Sequence, residues 1–148
     1  MDKNDDKQKN DCGKNRYNIL IVDDDKIVLK ALHMTLQRAT QFKSEISVSN
    51  DVDEALQKIH DENFDLVISD FSMPKMNGIE FLLKVKELHP ETTRVLITGY
   101  AELESAKETQ NDADIEMFLE KPWNNEKLRE TVLKILEKKK NFSKGEYD

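Results

Sequence analysis

The sequence predicts an α/β fold built on a parallel sheet, and two observations carry that reading. Short apolar runs alternate with helical patterns, and two of the runs end in acids: Ile-Leu-Ile-Val leads into Asp23, Asp24 and Asp25, and Leu-Val-Ile-Ser leads into Asp70. Unbroken apolar runs suit strands covered on both faces, and strict β-α alternation implies a parallel sheet with right-handed crossovers. In open parallel sheets ligands sit beyond the carboxyl ends of the strands, so these carboxylates stand where chemistry is expected.

Taken in order, strands are predicted at Asn18 to Asp23, Glu45 to Ser49, Asp65 to Asp70, Arg94 to Thr98 and Glu116 to Glu120. Asp25 reads as the residue that starts the first helix. Val52, Ala55, Leu56 and Ile59 then repeat at i, i+3, i+4 and i+7, which makes one apolar helical face. Asp51 with Glu54, and Asn77 with Glu80, have the offset of reciprocal N-terminal caps, so two helices are predicted to begin there. The stretch Ala101 to Asn111 carries Leu103 as its only large aliphatic residue, so a fourth helix is expected to be loosely held and to dock mainly through Leu103. Leu128, Thr131, Val132 and Ile135 mark the last helix. Residues 1–15 and 139–148 are too polar to pack and are predicted to be tails around a folded unit at 16–138. The lysines Lys138 to Lys140 suit the end of a helix, where cations answer its dipole.

With 148 residues, one domain with a real core is expected. A formal net charge of −7 argues against nucleic acid as a direct partner, because phosphate binding needs a concentrated basic surface. No apolar stretch is long enough for a membrane span or a signal peptide, so a cytoplasmic protein is expected. Cys12 is the only cysteine, which leaves no disulfide framework and no thiolate zinc site within one chain. His33, His60 and His89 lie in separate helical segments without ligand spacing.

Four motifs in order, ILIVDDD, SDFSMPKMNG, LITGY and FLEKPW, closely resemble the receiver domain of two-component response regulators from Tyr17 to about Lys138. The resemblance implies a (βα)5 doubly wound, flavodoxin-like fold with strand order 2-1-3-4-5, which brings Asp23 and Asp24 beside Asp70. It implies that Asp70 is the phospho-acceptor. Asp24 and Asp70 would bind Mg2+ directly, Asp23 through water, and the main-chain carbonyl of Ser72 would complete the protein share. Lys121 would supply a second cation and Thr98 a hydroxyl to the phosphoryl group. Phe118 stands at the family's switch aromatic, and Ser72 and Tyr100 at variable positions beside the site. The Lys121-Pro122 step resembles the family's tight turn, sometimes cis, that aims the amine inward.

Residue chemistry supports the same assignment. Crowded carboxylates repel unless a cation is present, and magnesium suits few protein oxygens with places left for water and phosphate. A carboxylate such as Asp70 can attack a phosphoryl group to give an acyl phosphate. Three other readings fit less well. A phosphohydrolase of the haloacid dehalogenase type needs a second acid two residues after its nucleophile, where this chain has Ser72. A nucleotide or flavin module would want a glycine-rich loop after the first strand, where this chain has Asp24, Asp25 and Lys26. A binding module without chemistry would not need the complete acidic, hydroxyl and lysine set. The expected partners are a histidine kinase or histidine phosphotransfer protein upstream and a downstream protein or output domain. Whether the receiver stands alone or comes from a larger regulator is left open, and TGYAELESA with FLEKPW favours the second origin.

Overall fold

The computed structural model describes residues 16–39, 43–108 and 111–145. The expectations for the N-terminal tail and Cys12 fall outside them. In chain order the elements are β1 (Arg16–Val22), α1 (Lys26–Ala39), β2 (Lys43–Ser49), α2 (Val52–Asp61), β3 (Leu66–Asp70), α3 (Gly78–Leu88), β4 (Thr93–Gly99), α4 (Tyr100–Glu108), a 3-10 turn (Asn111–Ala113), β5 (Met117–Lys121) and α5 (Asn125–Gly145).

All strand pairs are parallel and the sheet order is β2-β1-β3-β4-β5, the doubly wound arrangement expected. The alternation of side chains along each strand divides the core in two. Ile19, Ile21, Ile68, Ile97 and Leu119 pack against Leu29, Leu32 and Leu36 of α1 and Leu128, Val132 and Leu136 of α5. Leu20, Val22, Val67 and Leu96 pack on the other face against Val52 and Ile59 of α2, Phe81, Leu82 and Val85 of α3, and Ala106 of α4. Every residue of β3 is buried, as the central strand of such a sheet must be.

The helix starts follow local chemistry. Asp25 Oδ1 accepts from the backbone N–H of Ile27 at 2.9 Å, which makes Asp25 the cap of α1. Asn77 and Glu80 form the full reciprocal cap of α3. At α2 the reciprocal half is not made: Asp51 accepts from Glu54 N, while the Glu54 carboxylate takes the Ser49 hydroxyl at 2.8 Å.

Two expectations need correction. Among the described side chains of α4 the buried one is Ala106, and Leu103 is only half-buried. A buried methyl contributes about 0.8 kcal/mol where a buried leucine contributes about 1.5 to 3, so Ala106 adds only a small share to the docking of α4. The last helix does not stop near Lys138 but continues to Gly145. Lys138 Nζ reaches the Glu116 carboxylate at 3.6 Å and Lys139 Nζ donates to the Glu91 carbonyl at 2.8 Å, and lysine is a good helix former.

Candidate functional site

Parallel pairing places the carboxyl ends of β1, β3, β4 and β5 on one edge, and the sequence puts an acid, an acid, a hydroxyl and an amine there. Asp23 follows β1 and is 1% exposed, and Asp70 ends β3 at 5%. Asp24 is exposed beside them. One carboxylate oxygen from each of Asp23, Asp24 and Asp70 lies within 4.8 Å of the other two. Lys121, the last residue of β5, reaches over this cluster: its Nζ is 2.9 Å from Asp70 Oδ1 and 3.0 Å from Asp23 Oδ2. The Lys121-Pro122 peptide is cis.

The cluster holds too much negative charge for its burial. The Lys121 ammonium pairs with two of the three carboxylates, Asp23 and Asp70. Burial pushes the Asp70 carboxyl up to about 6 against the hydrogen bond from Lys121, and the Asp23 charge adds to the rise. Burial also raises Asp23, although the Asp25 N–H and Lys121 both favour its charged form. For Lys121 burial works downward, but the hydrogen bonds and charges of Asp70 and Asp23 outweigh it and leave the ammonium above its ordinary range. Three hard oxygen donors short of positive charge are a donor set that fits a small divalent cation.

The neighbouring segments keep this edge in shape. Gly78 N donates to the Phe71 carbonyl at 2.7 Å, drawing α3 against the end of β3. A Cβ at Gly78 would collide with the Asp70 carbonyl oxygen and crowd Leu96, so no other residue fits there. Ser72 is exposed in the loop after Asp70. In that loop Lys75 adopts a φ of 74°, and its amine pairs with Asp53 at 2.8 Å and Asp51 at 3.1 Å, tying the loop to the start of α2.

Thr98 is fully buried one position beyond Ile97, the register partner of Asp70. Its hydroxyl lies 3.4 Å from Glu102 Oε1 and 3.5 Å from the Gly99 carbonyl. Phe118 pairs in register with Leu96, two positions before Thr98, and is half-buried against the same core face. With Leu103, Trp123 and Lys127 it lines a groove of about 310 Å3 between α4 and α5.

Thus Asp23, Asp24, Asp70 and Lys121 come together, Thr98 stands on the adjoining strand, and Phe118 lies on the face behind it. The histidines stand apart: His60 faces Asp61 at 3.3 Å, and His89 meets the Ile59 carbonyl at 2.9 Å. Sequence reasoning passed over Lys75 and Glu102. Lys75 carried no signal, because its partners come from the start of α2, an element distant in sequence. Glu102 carried none either, because Thr98 lies on a strand and the i+4 neighbour relation holds only within one helix.

Residues 19–133 match the family model of the response regulator receiver domain. The chain belongs to that family. The hydrogenase transcriptional regulatory protein HoxA of Cupriavidus necator is 34% identical over 80% of this chain and 24% of its own length. The response regulator protein PilR of Pseudomonas aeruginosa is 31% identical over 82% of this chain and 26% of its own. The chain therefore spans about a quarter of the length of these relatives. Among solved structures, a CheY-like receiver domain from Methanospirillum hungatei superposes with a TM-score of 0.73 at 33% identity, covering 84% of this chain and 97% of that one. The receiver domain of an HD domain-containing protein from Pseudomonas fluorescens gives 0.74 at 30% identity, covering 85% and 90%. The receiver is thus a two-component signalling domain, and no helix among its described residues is long and apolar enough to cross a membrane.

Proposed function

We propose that Asp70 accepts a phosphoryl group from a histidine kinase or histidine phosphotransfer protein and that the acyl phosphate switches a partner-binding face. The observation that carries this reading is Asp70 itself: a buried carboxylate at a strand end, 2.9 Å from the Lys121 ammonium and grouped with Asp23 and Asp24. Above about pH 6 its carboxylate is ionised and able to attack. The Asp70 oxygen–phosphorus bond forms as the donor's nitrogen–phosphorus bond breaks. Lys121 is placed to take a share of the charge on the transferred group once it arrives.

Asp24 and Asp70 directly, Asp23 through water, and the Ser72 carbonyl would hold Mg2+, which when bound spreads the negative charge of the phosphoryl oxygens. Thr98 donates its hydroxyl to one of those oxygens. Its displacement loosens α4, and Phe118 turns into the space behind it. The partner surface is then the face of α4, β5 and α5, which a downstream protein or an output domain reads. As a switch the domain promotes only its own phosphorylation and dephosphorylation. The compartment proposed is the cytoplasm, where ATP feeds the donor kinase, and the output domains of the longer relatives are a model for what this receiver controls.

Intact-mass spectrometry after incubation with acetyl phosphate and Mg2+ tests the assignment. The wild-type chain should gain one phosphoryl group, and Asp70→Asn should gain none while keeping its circular dichroism. A full adduct on Asp70→Asn would overturn it.

A further inference from the structure

We infer that Glu102 is a positioning residue for Thr98: in the unphosphorylated domain its carboxylate holds the Thr98 hydroxyl toward α4, and a phosphoryl group must win that hydroxyl from it. The inference rests on the phosphoryl-acceptor reading of Asp70.

Thr98 is buried completely, so its hydroxyl needs an acceptor within the protein. The two it has are Glu102 Oε1 at 3.4 Å and the Gly99 carbonyl at 3.5 Å. Both are long beside the usual ~2.7 to 2.8 Å of a hydroxyl bond, so the hydroxyl is restrained but easily given up. Glu102 stands in the first turn of α4, where the helix dipole favours a carboxylate. An acid at that position commonly folds back toward the residue that caps the helix. Here the residue before the helix is Gly99, which has no side chain, and the carboxylate passes over it: the nearest atom to a Cβ built at Gly99 is Glu102 Oε1, at 3.9 Å. It meets the Thr98 hydroxyl instead.

A phosphoryl group on Asp70 would arrive as a second, more highly charged acceptor for the same hydroxyl, and its charge repels Glu102. Both effects act in one direction. Thr98 turns away from α4, and Glu102 loses the contact that ties the first turn of α4 to the end of β4. Glu102 thereby sets how strongly the resting state is favoured, since a ligand shifts such an equilibrium only by the contacts that differ between the two states.

The test is a titration of the full chain with beryllofluoride in saturating Mg2+, read by calorimetry, on Glu102→Ala, Thr98→Ala, Thr98→Ser and the two double variants. Glu102→Ala should bind beryllofluoride about two- to tenfold more tightly than wild type, the range for one competing hydrogen bond. Affinity for Mg2+ alone should not change. In the Thr98→Ala background the Glu102 effect should vanish, and in the Thr98→Ser background it should return. Glu102→Gln keeps the length of the side chain but a weaker, neutral acceptor, so it should fall between wild type and Ala, and it serves if Ala unwinds α4. Equal tightening with and without the Thr98 hydroxyl, or no tightening, would overturn the inference. Failure of the wild-type chain to bind beryllofluoride would instead overturn the phosphoryl-acceptor reading, and this inference with it.

Discussion

Asp70 is held at a cost to the fold, and the sign of that cost can be worked out. Its carboxyl titrates near 6 in the folded chain, above the ordinary carboxylate value it has when unfolded, so folding favours the protonated form. The stability this contributes is fully present below about pH 4 and is lost as pH rises through about 6. Asp70→Asn carries no charge to bury. Without divalent cations it should therefore be more stable than wild type at about pH 7.5, by about 2 kcal/mol or about 5 °C in Tm, and the advantage should shrink toward zero near pH 4. Thermal unfolding in a chelator checks this. A variant less stable than wild type at neutral pH would mean that Lys121 and the Phe71 N–H more than offset the burial of the Asp70 carboxylate. Adding Mg2+ should raise the Tm of wild type more than that of Asp70→Asn, because the variant lacks one charged oxygen ligand.

At the scale of elements, legibility divides along the reach of each interaction. The caps at Asp25, Asn77 and Glu80 could be read because both partners lie within one helical turn. The docking of α4 through Ala106 could not, because burial of so small a residue depends on how closely the helix approaches the sheet. Arg94 is the clearest case. In the sequence it is one polar residue at the start of a strand, yet it is buried, and its guanidinium donates to the carbonyls of Thr92 at 2.6 Å and Ala113 at 2.8 Å. Burial lowers its basicity, but it holds the turn between α4 and β5 against the sheet. Arg94→Lys keeps the charge but cannot reach both carbonyls with one amine, so it should cost about 2 to 4 kcal/mol in urea unfolding. Since Arg94 sits at the end of β4 away from Asp70, the folded variant should still gain its phosphoryl group from acetyl phosphate. Loss of the adduct without loss of stability would contradict this separation of roles.

At the scale of the whole molecule, the acid cluster was legible because parallel topology gathers every strand's carboxyl end on one edge, so motifs far apart in sequence had to meet. Which groups face one another across that edge was not legible, since the contacts of Lys121 with Asp23 and of Thr98 with Glu102 depend on side-chain rotamers. The route by which a signal would leave the site follows from both levels. Thr98 and Phe118 lie on the same face of neighbouring strands, and among the described side chains of α4 the one buried on that face is Ala106. A segment with so little buried apolar surface opens at low cost, so amides of α4 should exchange at least about tenfold faster than those of β3. Drawing the Thr98 hydroxyl toward Asp70 would then release a helix already close to balance, and the change should extend to Phe118 and the groove it shares with Leu103 and Trp123. Hydrogen exchange with and without beryllofluoride and Mg2+ reads this directly. Protection should change across Thr98 to Glu108 and around Phe118, and Thr98→Ala should blunt the change while leaving the response of the loops at Asp24 and Asp70. A response confined to those two loops would describe a phosphoryl acceptor whose signal does not leave by this face.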